Sequence, residues 1–111
     1  MEHKDEIGII TLKKDIRTGT SARKVASSLA GEIQAEVEFL PEEKSFEGTR
    51  FFTISRWRKP PGVGGMLVVS DNQLVIVVAG PPDYLESWNL KHQLDVATRK
   101  FEIDHAPPAE A

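Results

Sequence analysis

Alternation of apolar and polar side chains is clearest over residues 32–39. Ile33, Ala35, Val37 and Phe39 share one face there, and Glu32, Gln34, Glu36 and Glu38 share the other, which predicts a half-buried strand. The preceding segment has a different period. Ala22, Val25, Ala26, Leu29 and Ala30 recur at i, i+3, i+4 and i+7, so a helix is predicted over 21–30, with Thr18-Gly19-Thr20 as its capping region and Gly31 as the left-handed residue that ends it. Upstream, residues 7–13 are short and β-rich and predict a first strand.

The second half of the chain reads as two hairpins and a helix. A polar loop over 41–48, bounded by Pro41 and Gly48, leads to residues 49–58, whose aromatic and β-branched content predicts a strand paired with 32–39. Residues 59–65, with Pro60, Pro61, Gly62, Gly64 and Gly65, interrupt it. Two apolar runs, 66–69 and 74–79, then flank the tight turn Ser70-Asp71-Asn72-Gln73. After Pro81 and Pro82, Leu90, Leu94, Ala97 and Phe101 line one narrow helical stripe. Tyr84, Leu85 and Trp88 lie off that stripe, so 82–88 reads as a separate turn, with the regular helix starting near Asn89.

The order β-α-β-β-β-β-α, with short connections between its four sequential strands, predicts an α+β domain. The expected architecture is a single twisted antiparallel sheet of about five strands with two helices on one face. In topology alone this order resembles one repeat of the TATA-binding-protein-like fold, with a ferredoxin-like variant as the alternative; neither resemblance carries a function. One domain over residues 1–104 and a disordered tail over 105–111 fit a chain of 111 residues.

Composition narrows the chemistry. The chain has no cysteine, which removes disulfides, thiolate metal sites and cysteine nucleophiles together. His3, His92 and His105 form no pair at metal-ligand spacing, and no serine sits in a glycine elbow. The loop Gly62-Val63-Gly64-Gly65 lacks the Lys-Ser or Lys-Thr of a P-loop, and Leu67 occupies the place of the third glycine of a dinucleotide fingerprint. A non-enzymatic protein without cofactor or metal is therefore expected. Three acids among the first six residues do not suit a signal peptide, and the longest apolar run, 74–79, is far too short to span a bilayer, so a cytoplasmic protein with no membrane contact is expected.

The net charge of −3 is unevenly spread. Residues 32–48 hold six Glu and one Lys, whereas 49–61 hold Arg50, Arg56, Arg58 and Lys59 and no acid. A hairpin register opposing Phe39 to Phe51 would also oppose Ile33 to Trp57, Gln34 to Arg56 and Glu32 to Arg58, the last a surface ion pair worth about 0 to 1 kcal/mol.

The most informative pattern is a surplus of apolar residues. Residues 66–69 and 74–78 are apolar without alternation, so both faces of the sheet need cover, while two modest helices can shield one. The surplus predicts an exposed apolar face that includes Phe52, Ile54, Val75, Ile76 and Val77, and with it a homodimer or another protein partner. A second expectation, from a different class, is a nucleic-acid or polyanion surface. There Arg50, Arg56, Arg58 and Lys59 would hold phosphates and Trp57 would stack on a base, although a pI of 5.6 is low for a dedicated nucleic-acid domain. A third is a small-molecule site between sheet and helices lined by Trp57, Tyr84 and Trp88.

Overall fold

A computed structural model of the chain describes residues 6–40, 48–58, 62–87 and 89–103. The strands are β1 (Gly8–Asp15), β2 (Glu36–Phe39), β3 (Arg50–Ser55), β4 (Gly64–Val69) and β5 (Gln73–Gly80). The helices are α1 (Ala22–Ile33), α2 (Pro82–Ser87) and α3 (Leu90–Thr98), and a 3₁₀ turn over Arg99–Phe101 follows. All five strands form one antiparallel sheet in the order β1-β5-β4-β3-β2. The α+β class and the single antiparallel sheet are as expected from the sequence. The helical region after Pro81 divides into two short helices, because Asn89 adopts a left-handed conformation (φ 52°) between them.

Helix α1 starts where Ser21, in extended conformation, accepts a hydrogen bond from the Lys24 backbone N–H through its Oγ. It does not stop at Gly31. Ile33 continues the buried stripe of Val25, Ala26 and Leu29, and burying it is worth roughly 1.5 to 3 kcal/mol, more than the cost of about 1 kcal/mol for a glycine inside a helix. The left-handed residue that ends the helix is Gln34 (φ 56°), whose N–H bonds back to the Ala30 carbonyl. The predicted strand over 32–39 is thus shortened to β2 alone.

The hairpin register differs from the predicted one by a single residue. Phe39 faces Phe52 rather than Phe51, and Val37 faces Ile54. Since side chains alternate with period two, this slip exchanges the two faces of β3. Phe52 and Ile54 turn inward under the helices, where the Phe52 ring meets Phe39 edge-on at 5.4 Å, and Phe51 turns outward. The strand ends at Ser55, and the positive φ of 51° at Arg56 shifts the alternation and carries Trp57 inward as well.

One core lies between the helices and one face of the sheet. It joins Val25, Leu29 and Ile33 of α1, Leu90, Leu94 and Ala97 of α3, and Leu85 of α2 to Leu12, Phe52, Ile54, Leu67, Val69, Leu74, Ile76 and Val78 of the sheet. The turn between β4 and β5 is closed by Ser70, whose N–H and Oγ both donate to the Gln73 carbonyl. Beyond the 3₁₀ turn the chain returns to β1, where Ile16 bridges Glu102 and the Ile103 N–H donates to the Asp15 carbonyl.

Candidate functional site

No described element lies over the second face of the sheet. Cross-strand pairing arranges this face in rows: Ile9, Ala79, Gly64, Ser55 and Glu36; then Thr11, Val77, Met66, Thr53 and Glu38; then Lys13, Val75, Val68 and Phe51. The centre of the face, across β5, β4 and β3, is therefore Val75, Val77, Met66, Val68 and Phe51, each half-buried by its neighbours in the sheet plane. Ile9, at the β1 edge, is 67% exposed. The charged residues sit at the rims, with Lys13 beside Thr11 on β1 and Glu36 and Glu38 on β2, and Thr53 of β3 lies between Met66 and Glu38. Water against such a face is unfavourable by about 25 cal/mol for each Å² of apolar surface, which makes it a surface that gains from being covered.

Of the five residues predicted for this face, Val75 and Val77 lie on it. Phe52, Ile54 and Ile76 do not: all three are buried in the core beneath the helices. The correction follows from the register shift in β3 and, in β5, from strict alternation through an apolar run that cannot itself reveal which set faces inward. Phe51, Met66 and Val68 take their places.

The basic strand is not assembled as a stacking surface. Trp57 is 3% exposed, packs in the core, and its indole N–H has no hydrogen-bond partner among the described residues. Arg56 and Arg58 are exposed, and Arg56 lies 3.7 Å from Glu36 across the hairpin. The predicted pair of Arg58 with Glu32 does not form. Glu32 belongs to α1 and meets Lys100, while the Arg58 N–H donates to the Gln34 carbonyl. Lys59 lies outside the described residues. Arg50 stands at the opposite end of β3, where with Ser21, Ala22, Arg23, Phe39 and Phe52 it lines a hollow of about 260 Å³ and the Arg23 guanidinium covers the Phe39 ring at 5.3 Å.

Of the three aromatics expected to line a ligand site, the two described ones lie in different surroundings. Tyr84 is exposed on α2, Trp57 is buried in the core, and Trp88 lies outside the described residues. The groove beside α2, about 400 Å³, is lined instead by Gly8, Ile9, Ile10, Pro82, Leu85, Glu86, Asn89 and Lys91. Among the described residues, no three His, Asp or Glu side chains gather as a metal site would need, and no helix is long and apolar enough to cross a membrane.

The sequence reading missed one ionic cluster because its lysine occupies an apolar position of β1. Lys14 alternates with Leu12 and Ile16 and is buried on the helix face. Its ammonium lies 2.8 Å from Asp95 Oδ1 and 3.3 Å from Glu102 Oε1, and donates to the Asp95 carbonyl at 2.9 Å. The hydrogen bond from Lys14, then that from Arg99, lowers the Asp95 carboxyl from 3.8 to about 2. A carboxylate held this way adds stability at pH values above about 4, and that contribution disappears as pH falls toward 2.

Lys14→Ala should cost roughly 2 kcal/mol in urea unfolding, below the usual figure for a broken buried pair because both carboxylates keep access to water. Lys14→Met fills the same space and should cost less. It should also lose less stability than the parent chain between pH 4 and 2. Equal acid sensitivity in the two proteins would show that Lys14 is not what holds Asp95 ionised.

Comparison of the chain with protein-family models, with curated proteins and with solved structures found no match.

Proposed function

We propose that this chain is a small non-enzymatic interaction module whose working surface is the apolar sheet face of Val75, Val77, Met66, Val68 and Phe51. One observation carries the reading: five contiguous apolar side chains on three adjacent strands have no described element over them. Single exposed apolar residues are ordinary on a monomer, whereas a contiguous group ringed by Lys13, Thr11, Glu36 and Glu38 has the composition of a docking surface, apolar at its centre and polar at its rim. The helix face cannot serve in this way, since its apolar residues are already used in the core.

The test is whether the face is open in the dilute chain. Val77→Glu should leave the melting temperature within about 3 °C of the parent, since a half-exposed position lets the carboxylate stay hydrated. It should also abolish the fluorescence enhancement that the parent gives with an apolar dye such as bis-ANS. A parent chain that binds no dye, together with a Val77→Glu variant that unfolds, would mean that the chain's own residues cover this face, and the reading would fall.

A further inference from the structure

Resting on that reading, we infer that the occupant of the apolar face is a second copy of this chain, related by a twofold axis in the interface plane along β4. In the sheet order β1-β5-β4-β3-β2, β4 is the central strand. A rotation about it lays β4 over its own copy, β5 over β3, and β1 over β2. The apolar centre of the face then meets the apolar centre of the copy. Met66 and Val68 oppose their equivalents, Val75 and Val77 oppose the strand that carries Phe51 and Thr53, and the Lys13 edge approaches the Glu36 and Glu38 edge.

Charge selects this arrangement. On the interface side, β1 carries Lys13 and β2 carries Glu36 and Glu38. Glu36 already lies near Arg56, whereas neither Lys13 nor Glu38 has an ion-pair partner among the described residues. In the superposed sheets Thr11 lies over Glu38, and Lys13 is one strand step away, about 7 Å, within the combined reach of the two side chains. Asp15, the one acid of β1, also points to this side but is a further step away from Glu38, opposite Gln73. A twofold axis across the strands would instead lay β1 on β1 and β2 on β2, bringing the Glu38 edges together. The interface is isologous, so every favourable contact occurs twice.

Five strands about 4.8 Å apart and three to four side-chain rows about 7 Å apart cover roughly 600 Å² on each copy, or about 1,200 Å² in total. That is the lower bound of stable protein interfaces, so the dimer should be weak and dependent on concentration.

Sedimentation velocity over roughly 1 to 300 µM should therefore show a monomer–dimer equilibrium in the intact chain. Val68→Glu, on the axis, should leave only monomer. Lys13→Glu and Glu38→Lys should each weaken self-association about tenfold or more at low salt, because each places two like charges across the interface. Mixing these two variants should restore a heterodimer, in which both contacts become attractive, and about 0.5 M salt should erase the differences. If Val68→Glu is monomeric but both charge variants dimerise like the parent and gain nothing on mixing, the twofold along β4 is wrong while the apolar face remains a docking surface. If the parent is monomeric throughout yet binds the apolar dye, the occupant is not a second copy. A monomer that also binds no dye would remove the interaction reading itself.

Discussion

Ile76→Glu should leave the chain without a stable fold at neutral pH, although the same change one residue later, at Val77, is tolerated. Ile76 is fully buried at the centre of β5, between Leu12 of β1 and Leu67 of β4 and under the helices. A carboxylate there loses its hydration, and Lys14, the cation on the same face of β1, is already engaged by Asp95 and Glu102. Ionising it costs several kcal/mol, comparable with the whole stability of about 5 to 15 kcal/mol expected of a single domain. Any molecule that folds must do so with the new acid protonated, at a pKa above the unfolded value near 4.3. The folded form then holds a proton that the unfolded form releases, so stability falls as pH rises above about 4 and partly returns on acidification. Far-ultraviolet circular dichroism at pH 7 and pH 4.5 reads this directly. A cooperative melt at pH 7 close to that of the parent would mean that Ile76 does not face the core.

Gly65→Ala should be the most disruptive conservative change in the sheet, costing roughly 3 kcal/mol and lowering the melting temperature by about 10 °C or more. The reason is distance rather than backbone angle. β4 and β5 come so close at this point that a methyl group on Gly65 would overlap the Val77 carbonyl oxygen and stand 2.9 Å from the Val77 carbonyl carbon and the Val78 Cα. Backbone atoms of a central strand cannot rotate away as a side chain could. Relief must come from spreading the strands where Gly65 pairs with Val78 and Met66 with Val77. Gly31→Ala makes a good contrast, since its added methyl meets nothing within 4 Å and it stands inside a helix, where alanine is preferred by about 1 kcal/mol. A Gly65→Ala protein that melts within 2 °C of the parent would show that the two strands can separate freely.

Much of the architecture can be read from local patterns. The helical stripe through Val25, Ala26 and Leu29, the turn at 70–73 and the break near Asn89 all appear where their residues call for them. The errors arise where one residue satisfies two periods. Ile33 begins the alternation of 32–39 and also lies four residues after Leu29, and burial in the core decides for the helix. Gly64 and Gly65 look like part of a loop, but they open β4, because close strand contact requires a residue without a side chain.

The candidate site depends on a finer distinction. A surplus of apolar residues in β4 and β5 is visible from runs that do not alternate, and so is the need for two covered faces. Which set faces inward depends on whether Phe39 meets Phe51 or Phe52, a choice of one residue between two similar rings. Lys14 is hidden for the opposite reason: its neighbours Asp95 and Glu102 are remote in sequence, and nothing within β1 announces that an ammonium will find carboxylates beneath the helices.

The place of β1 in the sheet also sets an order of events at the ribosome. β1 is synthesised before the other strands, yet its neighbour β5 is the last strand to be made, and their contacts join residues as distant as Gly8 and Gly80. The strands β2 to β5, by contrast, pair in the order in which they emerge. Closing a long loop is entropically costlier than closing a short one, so the meander forms first and β1 docks on its finished edge. Until that happens Lys14 remains in water and the Ile16–Glu102 bridge is open. During translation Ile9 and Ile10 therefore belong to an unpartnered apolar segment, and this is the stage at which the nascent chain is most exposed to mispairing with another copy of itself.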